Sequence, residues 1–505
     1  MIVDDQSEAI AFLTRMLEGN TGAEHAVETV RTHISIVFLS GDRALKLKRA
    51  VRFPYIDLAT PAVRLALCRR EVELNRRTAP DLYLGVRRLT READGCLAFD
   101  GDGALVDACV EMRRFEQSAL FDEMAKRGAL TADMMSDLAW RIAEFHQDAP
   151  IDRAAGGAAS MERVLAINEA ELRNGALGSA AGLDTIVAAF HAALARHGAM
   201  LDARGAEGKV RRCHGDLYLR NICLIDGRPT MFDCLEFDET LATIDVLYDL
   251  AFLLMDLWHR GLAHFANLVT NRYFDATGET EGMAVLPFFM AVRAAVRAHV
   301  NATQGDLAEA HAYLDLAGDL LQPRSPRLVA IGGWSGSGKS TIAAALAPEI
   351  GAPPGARILN SDRLRKRLHN VRPEVKLDEN AYRPEISAKV YAVMREEAAA
   401  VLPGHCVIAD AVFDRQETRD AIAAVAADAG VAFTGIWLGV PSDTGETRIR
   451  QRTGGPSDAT VEVLRQQIKQ KLGTLTWHVV DAGASIAATV DVVRQLVVRE
   501  PDFSS

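Results

Sequence analysis

Gly333-Trp334-Ser335-Gly336-Ser337-Gly338-Lys339-Ser340 fits the spacing G-x-x-x-x-G-K-[ST], follows an apolar run and opens a helical one. Glycines at these positions let backbone N–H groups turn toward phosphate oxygens at a helix N-terminus. Lys339 adds a point charge beside the transferred phosphate, Ser340 is a ligand for Mg²⁺, and Thr341 joins them as a nucleotide-binding residue. The competing reading, a chance glycine-rich turn, does not explain strand, loop and helix in that order. Asp362, in Asn360-Ser361-Asp362-Arg363-Leu364-Arg365-Lys366, stands at the carboxyl end of the next strand, where such sheets bind ligands. Its carboxylate would orient or deprotonate an acceptor hydroxyl, or cap the following helix. Asp410 ends the run Val407-Ile408-Ala409, the place for a carboxylate that holds a metal or its water. Arg448 and Arg452, four apart, share a helix face before the turn Thr453-Gly454-Gly455-Pro456. They would close over the phosphates, or form a merely solvated basic face.

A second set is more dispersed. His214-Gly215-Asp216-Leu217-Tyr218-Leu219-Arg220-Asn221 is followed, across Asp226-Gly227, by Met231-Phe232-Asp233-Cys234-Leu235-Glu236-Phe237. An Asp and an Asn with four residues between them, then an Asp at the end of the next hairpin, suit a kinase-type catalytic loop. Asp216 would accept the proton of the substrate hydroxyl, while Asn221 and Asp233 would hold Mg²⁺ against the phosphates of ATP. A polar loop that only stabilises the fold, or one that binds nucleotide without turnover, is the alternative. His214 reads as a structural brace.

Regular elements must carry these residues. His33 to Leu39 and Arg43 to Val51 alternate across Ser40-Gly41-Asp42 and predict a hairpin. Thr60-Pro61 opens a helix over Val63 to Thr78, and Tyr83 to Leu89, Gly95 to Asp100 and Ala104 to Phe115 have strand character. Ser118 to Arg204 and Thr240 to Leu321 read as helical around a short mixed segment, Val210 to Glu239. Gln322-Pro323-Arg324-Ser325-Pro326-Arg327 is the best linker. Beyond it, Leu328 to Gly332, Arg357 to Leu359, Cys406 to Ala409 and Ala432 to Val440 alternate with helices, which predicts a parallel sheet. The expected fold class is an α+β domain over 1–322, split near residue 112 into a small lobe and a helical lobe, and an α/β domain over 327–505.

Composition narrows the setting. A chain of 505 residues with 49% hydrophobic and 25% charged residues is globular and long enough for several domains. Its net charge of −11 gives no general attraction to nucleic acid or anionic membranes. Seven cysteines without a Cys-x-x-Cys pair, and an acidic start at Met1-Ile-Val-Asp-Asp, predict a cytoplasmic protein. Val246 to Trp258 and Ala284 to Val300 are interrupted by Asp249, Asp256, Arg293 and Arg297, so both are expected to be buried helices. Asp249 and Asp256 would recognise a cationic substrate or lie on a helix surface.

With the motifs His214-Gly215-Asp216 and Asn221, the segment from Thr32 to about Val300 resembles the aminoglycoside phosphotransferase-like kinases. That resemblance implies an ATP-binding lysine on Ala44 to Lys48, taken as Lys46 partnered by Glu71 with Lys48 and Glu73 as the alternatives, and a hinge around Val110-Glu111-Met112. The sequence departs from the family pattern in lacking a G-x-G-x-x-G loop, leaving Thr32 to Ser35 or the Ser40-Gly41 turn to cover the phosphates. The segment from Arg327 resembles P-loop small-molecule kinases, near gluconate kinase and the kinase part of polynucleotide kinases. The order of the halves resembles bacterial proteins that fuse the two. Together the resemblances imply ATP- and Mg²⁺-dependent transfer to a small hydroxylated molecule. The competing functions are a nucleotide-sensing regulatory half and phosphorylation of nucleic-acid 5′-hydroxyls, the latter pointed to by Asp362 and Arg365.

Overall fold

A computed structural model describes residues 2–21, 27–53, 56–452 and 454–499. Thr453, of the turn expected at Thr453-Gly454-Gly455-Pro456, and Met1 lie outside the described residues. The chain forms two compact units: Met1–Leu138, Glu144–Gly156 and Ala203–Asp249 make the first, and Ala139–Ala143, Gly157–Asp202 and Leu250–Ser505 the second.

The first unit is built on a six-stranded antiparallel sheet in the order Glu28–Arg31, Ser35–Ser40, Arg43–Lys48, Ala104–Arg113, Tyr83–Arg91, Leu97–Phe99. The predicted hairpin is present, with Gly41 at a φ of 56° in its turn. Strand alternation decides what each face does. Ile36, Phe38, Leu45 and Leu47 pack against Ala9, Phe12 and Leu13 of the helix Ser7–Thr21, an element the sequence reading did not anticipate. Ala44, Val110 and Met112 pack on the opposite face against Cys68 and Val72 of the helix Pro61–Asn75. That helix starts where the sequence placed it, with Thr60 Oγ1 accepting from the Val63 N–H at 3.4 Å and Pro61 in the first turn. Lys46 and Lys48 share the face of Ala44 and so point toward this helix.

The expected hinge is displaced. Val110-Glu111-Met112 lies within a strand paired on both sides, Lys46 opposite Val110 and Tyr83 opposite Met112, and the chain leaves the sheet only after Arg113. Further along, the strand Val210–Arg212 pairs with Thr243–Asp245, a short strand inside a stretch read as helical, and the hairpin Ile222–Ile225/Arg228–Met231 turns at Asp226-Gly227.

In the second unit, the helices Ala263–Thr277, Leu286–Gln304 and Leu307–Leu320 accompany a five-stranded parallel sheet. Its order is Arg357–Asn360, Val407–Asp410, Arg327–Gly332, Ala432–Gly439, His478–Asp481; the last strand was not anticipated. Strand order reverses on either side of Arg327–Gly332, which puts the glycine-rich loop at the switch point where open α/β sheets bind ligands. Both faces are apolar; Ile342 and Leu346 cover one face with Val490 and Val493. Glu281–Gln304 is long and apolar enough to span a membrane, yet 67% of its apolar window is buried within the fold, as in a core helix.

Candidate functional sites

In the first unit Lys46 Nζ lies 2.8 Å from Glu71 Oε1 and 2.5 Å from Asp233 Oδ1. Lys48 Nζ lies 2.5 Å from Glu71 Oε2 and 2.5 Å from Glu236 Oε1. Glu71 therefore serves both lysines, and Glu73 is instead an exposed partner of Arg70. Glu236 escaped the sequence reading, since nothing local marks it as the counter-ion of a lysine 188 residues away. Burial opposes charge on Lys46, but Asp233 and then Glu71 outweigh it and hold its pKa well above the ordinary value. Burial likewise raises the carboxyl of Glu236, with Lys48 offsetting only part of the effect.

Asp233 takes a φ of 61°, a left-handed conformation that an aspartate tolerates, and its N–H donates to Tyr83 Oη at 3.2 Å. Behind it, His214 Nε2 meets the Phe232 carbonyl at 2.9 Å while Nδ1 faces the Asp216 N–H at 3.3 Å. These contacts fix a neutral ring protonated on Nε2, and burial lowers its pKa accordingly. His214 is the brace its position suggested. Asn221 Nδ2 donates to Asp216 Oδ2 at 2.8 Å and to the Asp216 carbonyl at 2.9 Å, leaving Asn221 Oδ1 for another ligand. Arg220 is exposed.

Asp249 corrects the sequence reading. It is fully buried, accepts from the N–H groups of Gly215 at 2.8 Å and His214 at 3.2 Å, and meets His146 Nε2 at 3.0 Å. It holds the loop that carries Asp216 rather than a substrate. Gly215 is required there: its φ is 84°, and a Cβ would stand 2.9 Å from the Cβ atoms of Ala242 and Leu235. Asp256 is also buried, paired with Arg260 at 2.8 Å. The sheet register settles which turn adjoins Lys48: Ser35 is opposite Lys48, so Thr32 to Ser35 lies at that end. The Ser40-Gly41 turn lies at the other end, beside a cavity of about 470 Å³ lined by Gly41, Arg114, Phe115, Glu116, Leu224 and Ile225.

In the second unit the loop has its expected conformation, with Gly333, Gly336 and Gly338 at φ values of 144°, 81° and 90°. A Cβ on Gly336 would come within 2.6 Å of the Gly445 carbonyl. Ser335 N–H donates to Gln467 Oε1 at 2.9 Å, a brace that sequence could not supply. Lys339 Nζ donates to the Trp334 carbonyl at 3.0 Å, Ser340 and Thr341 begin the helix Lys339–Leu346, and the buried Ser337 Oγ has no partner. Burial lowers the pKa of Lys339, with Asp410 and Asp362 pulling it back and Arg452 adding to the depression. These charged groups therefore converge.

Asp410 is buried and accepts from Asn360 Nδ2 at 2.6 Å, and the same amide reaches Ser340 Oγ at 3.2 Å. Asn360 Oδ1 also caps the helix Ser361–Leu368 by accepting from Arg363 N–H at 2.9 Å, so capping falls to Asn360 and Asp362 is left free of that duty. Burial raises the pKa of Asp362, which the Ser457 hydroxyl partly counters. Arg448 and Arg452 do not share a helix, because Ser442–Gln451 ends before Arg452; Arg448 Nη2 donates to the Ala482 carbonyl at 2.9 Å and Arg452 Nη1 to the Ser457 carbonyl at 3.3 Å. Arg365 is buried and spent on the Ala381 carbonyl at 2.6 Å and the ring of Tyr382.

Both donor sets suit Mg²⁺, which prefers hard oxygen ligands: Ser340 and Asp410 in one site, Asn221 Oδ1 and Asp233 in the other. The orphaned Ser337 hydroxyl and inward-turned loop suit a phosphate.

Fold and sites together define a kinase-type protein of two modules, a phosphotransferase fold followed by an α/β P-loop kinase fold. The profile of the phosphotransferase enzyme family matches residues 104–289 and that of the AAA domain residues 328–471. The uncharacterized protein Rv2004c of Mycobacterium tuberculosis is 31% identical over 476 residues, spanning 91% of this chain and 93% of its own length; Mb2027c of Mycobacterium bovis gives the same values. The chain belongs to the same family as these proteins. Among solved structures, a choline/ethanolamine kinase family protein of Mesorhizobium loti is similar at 14% identity, with a TM-score of 0.40 over 62% of this chain and 95% of that one. A gluconokinase of Sinorhizobium meliloti is similar at 19% identity, with a TM-score of 0.25 over 35% of this chain and 96% of that one.

Proposed function

We propose that both sites bind ATP with Mg²⁺ and that the chain transfers the γ-phosphate to hydroxyl groups of small molecules, in a reducing compartment such as the cytoplasm. The observation that carries the reading is the Glu71–Lys46–Asp233 chain of contacts at 2.8 and 2.5 Å, beside Asp216 and Asn221 linked at 2.8 Å. Lys46 holds ATP phosphates and Glu71 orients it; Asp216 takes the acceptor proton as the acceptor oxygen bonds to the γ-phosphorus and the bond from that phosphorus to the β,γ-bridging oxygen breaks, with ADP leaving. Asn221 and Asp233 would hold Mg²⁺, which would supply positive charge against the phosphates. In the P-loop module Lys339, Ser335 to Ser340 and Thr341 hold the nucleotide. Asp362 orients or deprotonates the acceptor, Asp410 holds the metal or its water, and Arg448 and Arg452 flank the phosphates. The base would sit toward the cavity at Arg114 to Glu116, and Thr32 to Ser35 would cover the phosphates. A small acceptor is favoured over a polynucleotide because net charge is −11 and Arg365 is buried and engaged.

The test is to incubate the wild type, Asp216→Asn and Lys339→Ala with γ-labelled ATP, Mg²⁺ and pooled sugar acids, aminoglycosides, nucleosides and oligonucleotides. Loss of one labelled product per variant is expected. Label entering no acceptor in the wild type would reject the reading. A second reading, in which the P-loop module binds ATP only to regulate, draws on the segment at Ser457 and Asp458 beside Asp362. Asp458 ties it down through Lys366 at 2.6 Å, Tyr382 at 2.7 Å and Leu377 N–H at 3.0 Å. Under that reading Lys339→Ala abolishes ATP binding in the module without removing any product of its own.

A further inference from the structure

The strand Arg357–Asn360 is the edge of the parallel sheet, so its outer N–H and C=O groups need partners from elsewhere. The helix Ala263–Thr277, which lies within the span matched by the phosphotransferase family, supplies them. Asn267, Asn271 and Asp275 are spaced by four and lie on one face. Asn271 Oδ1 accepts from Ile358 N–H at 2.7 Å while its Nδ2 donates to the Ala356 carbonyl at 3.3 Å, so one carboxamide does the work of a neighbouring strand. Asn267 Nδ2 donates to the carbonyls of Pro354 at 3.1 Å and Ala356 at 3.0 Å. Arg357 reaches back, with Nη1 3.1 Å from Asn271 Oδ1 and 2.8 Å from Asp275 Oδ1. Asn267, Asn271, Asp275 and Arg357 are all buried, so no water replaces these contacts.

The other end of the strand is the metal end of the nucleotide site. Asn360, three residues beyond Arg357, holds Ser340 Oγ and Asp410 through one amide and caps the helix that carries Asp362 through its oxygen. A four-residue strand with hydrogen bonds on both edges is stiff, so its register at Ile358 fixes where Asn360 stands. Resting on the P-loop reading above, we propose that Asn271, a residue of the phosphotransferase span, is a positioning residue for the Mg²⁺-nucleotide site of the P-loop module. That module is then not self-sufficient: an element from the preceding half completes the sheet edge on which its metal ligands depend.

The experiment uses the full chain carrying Lys46→Met, which removes the phosphate-holding lysine of the first site, and compares Asn271, Asn271→Leu and Asn271→Asp. Equilibrium binding of a fluorescent ATP analogue is titrated with and without Mg²⁺, and hydrogen exchange is followed at Ile358 to Asn360 without metal. Asn271→Leu is expected to weaken Mg²⁺-dependent binding by about tenfold or more, as loss of an outer-shell partner does. Metal-free binding, carried by Lys339 and the glycine loop, changes less, and exchange at Ile358 quickens. Asn271→Asp keeps the oxygen facing Ile358 N–H and Arg357 but turns an acceptor toward the Ala356 carbonyl in place of the Nδ2 donor, so it is expected to fall between the parent and the leucine variant and remains informative if the latter fails to fold. Equal weakening with and without Mg²⁺, or an unchanged Mg²⁺ response with quickened exchange, overturns the proposal. Failure of the underlying reading looks different: the parent would bind no nucleotide in a Lys339-dependent way.

Discussion

In the first unit Lys46, Lys48, Glu71, Asp233 and Glu236 neutralise one another side chain to side chain, over contacts of 2.5 to 2.8 Å. In the second, the glycine loop is held by backbone conformation, and Lys339 rests on the carbonyl of Trp334 in its own loop. The first site stores its charge in pairs drawn from distant parts of the chain; the second gathers N–H dipoles within eight residues. Losing the fully buried Lys48 should therefore damage the fold of the first site, whereas the second is sensitive to a single added methyl.

The largest effect tests the chemistry of the paired site. Asp216→Asn should lower phosphoryl transfer at that site by roughly 10²–10⁴-fold while ATP affinity is kept, because only the proton acceptor is lost; rapid-quench turnover with equilibrium binding reads both. If ATP affinity collapses as well, the loop is a binding element and the comparison fails. Next, Lys48→Met should cost about 3–5 kcal/mol in urea unfolding, since it strands the buried carboxylate of Glu236. Lys46→Met should mainly cost nucleotide affinity, and reversed outcomes would exchange the roles of the two lysines.

Acid bears on both halves through buried histidines. Burial holds His405 at a pKa of about 4 against 6.5 for the free group. Between those values the unfolded chain binds more protons, so stability falls as pH drops from 6.5 toward 4, by about 3 kcal/mol in total. His214 acts in the same direction in the first unit. The difference between wild type and His405→Gln isolates the second: the variant's stability profile should be flatter over that window, and an unchanged slope would remove His405 from the account. The smallest effect is Gly336→Ala, with a φ of 81° and a carbonyl 2.6 Å from the added Cβ. It should cost about 1–3 kcal/mol and lower nucleotide affinity at that site alone, read by calorimetry.

Legibility followed the same division. Hairpin, helix and strand patterns around Arg43 to Lys48 and Pro61 to Asn75 were readable because period and capping are local. Strand ends were not: Val110 to Met112 looked like a hinge until both flanking strands were seen to bond it. Asp249 passed for a surface or substrate-reading residue because sequence shows charge but not what the charge covers.

By itself the sequence determined the glycine loop, the Asp216–Asn221 spacing and the order of the two modules, since φ preferences and short-range hydrogen bonds are properties of neighbouring residues. The tertiary structure decided that Lys46 rather than Lys48 reaches Asp233, 187 residues away, and that Glu236 answers Lys48. It also made Asn360 the helix cap and gave the sheet edge to Asn271. Those choices rest on which polar groups become buried together, and a buried donor is costly unless its partner arrives from wherever the fold brings it.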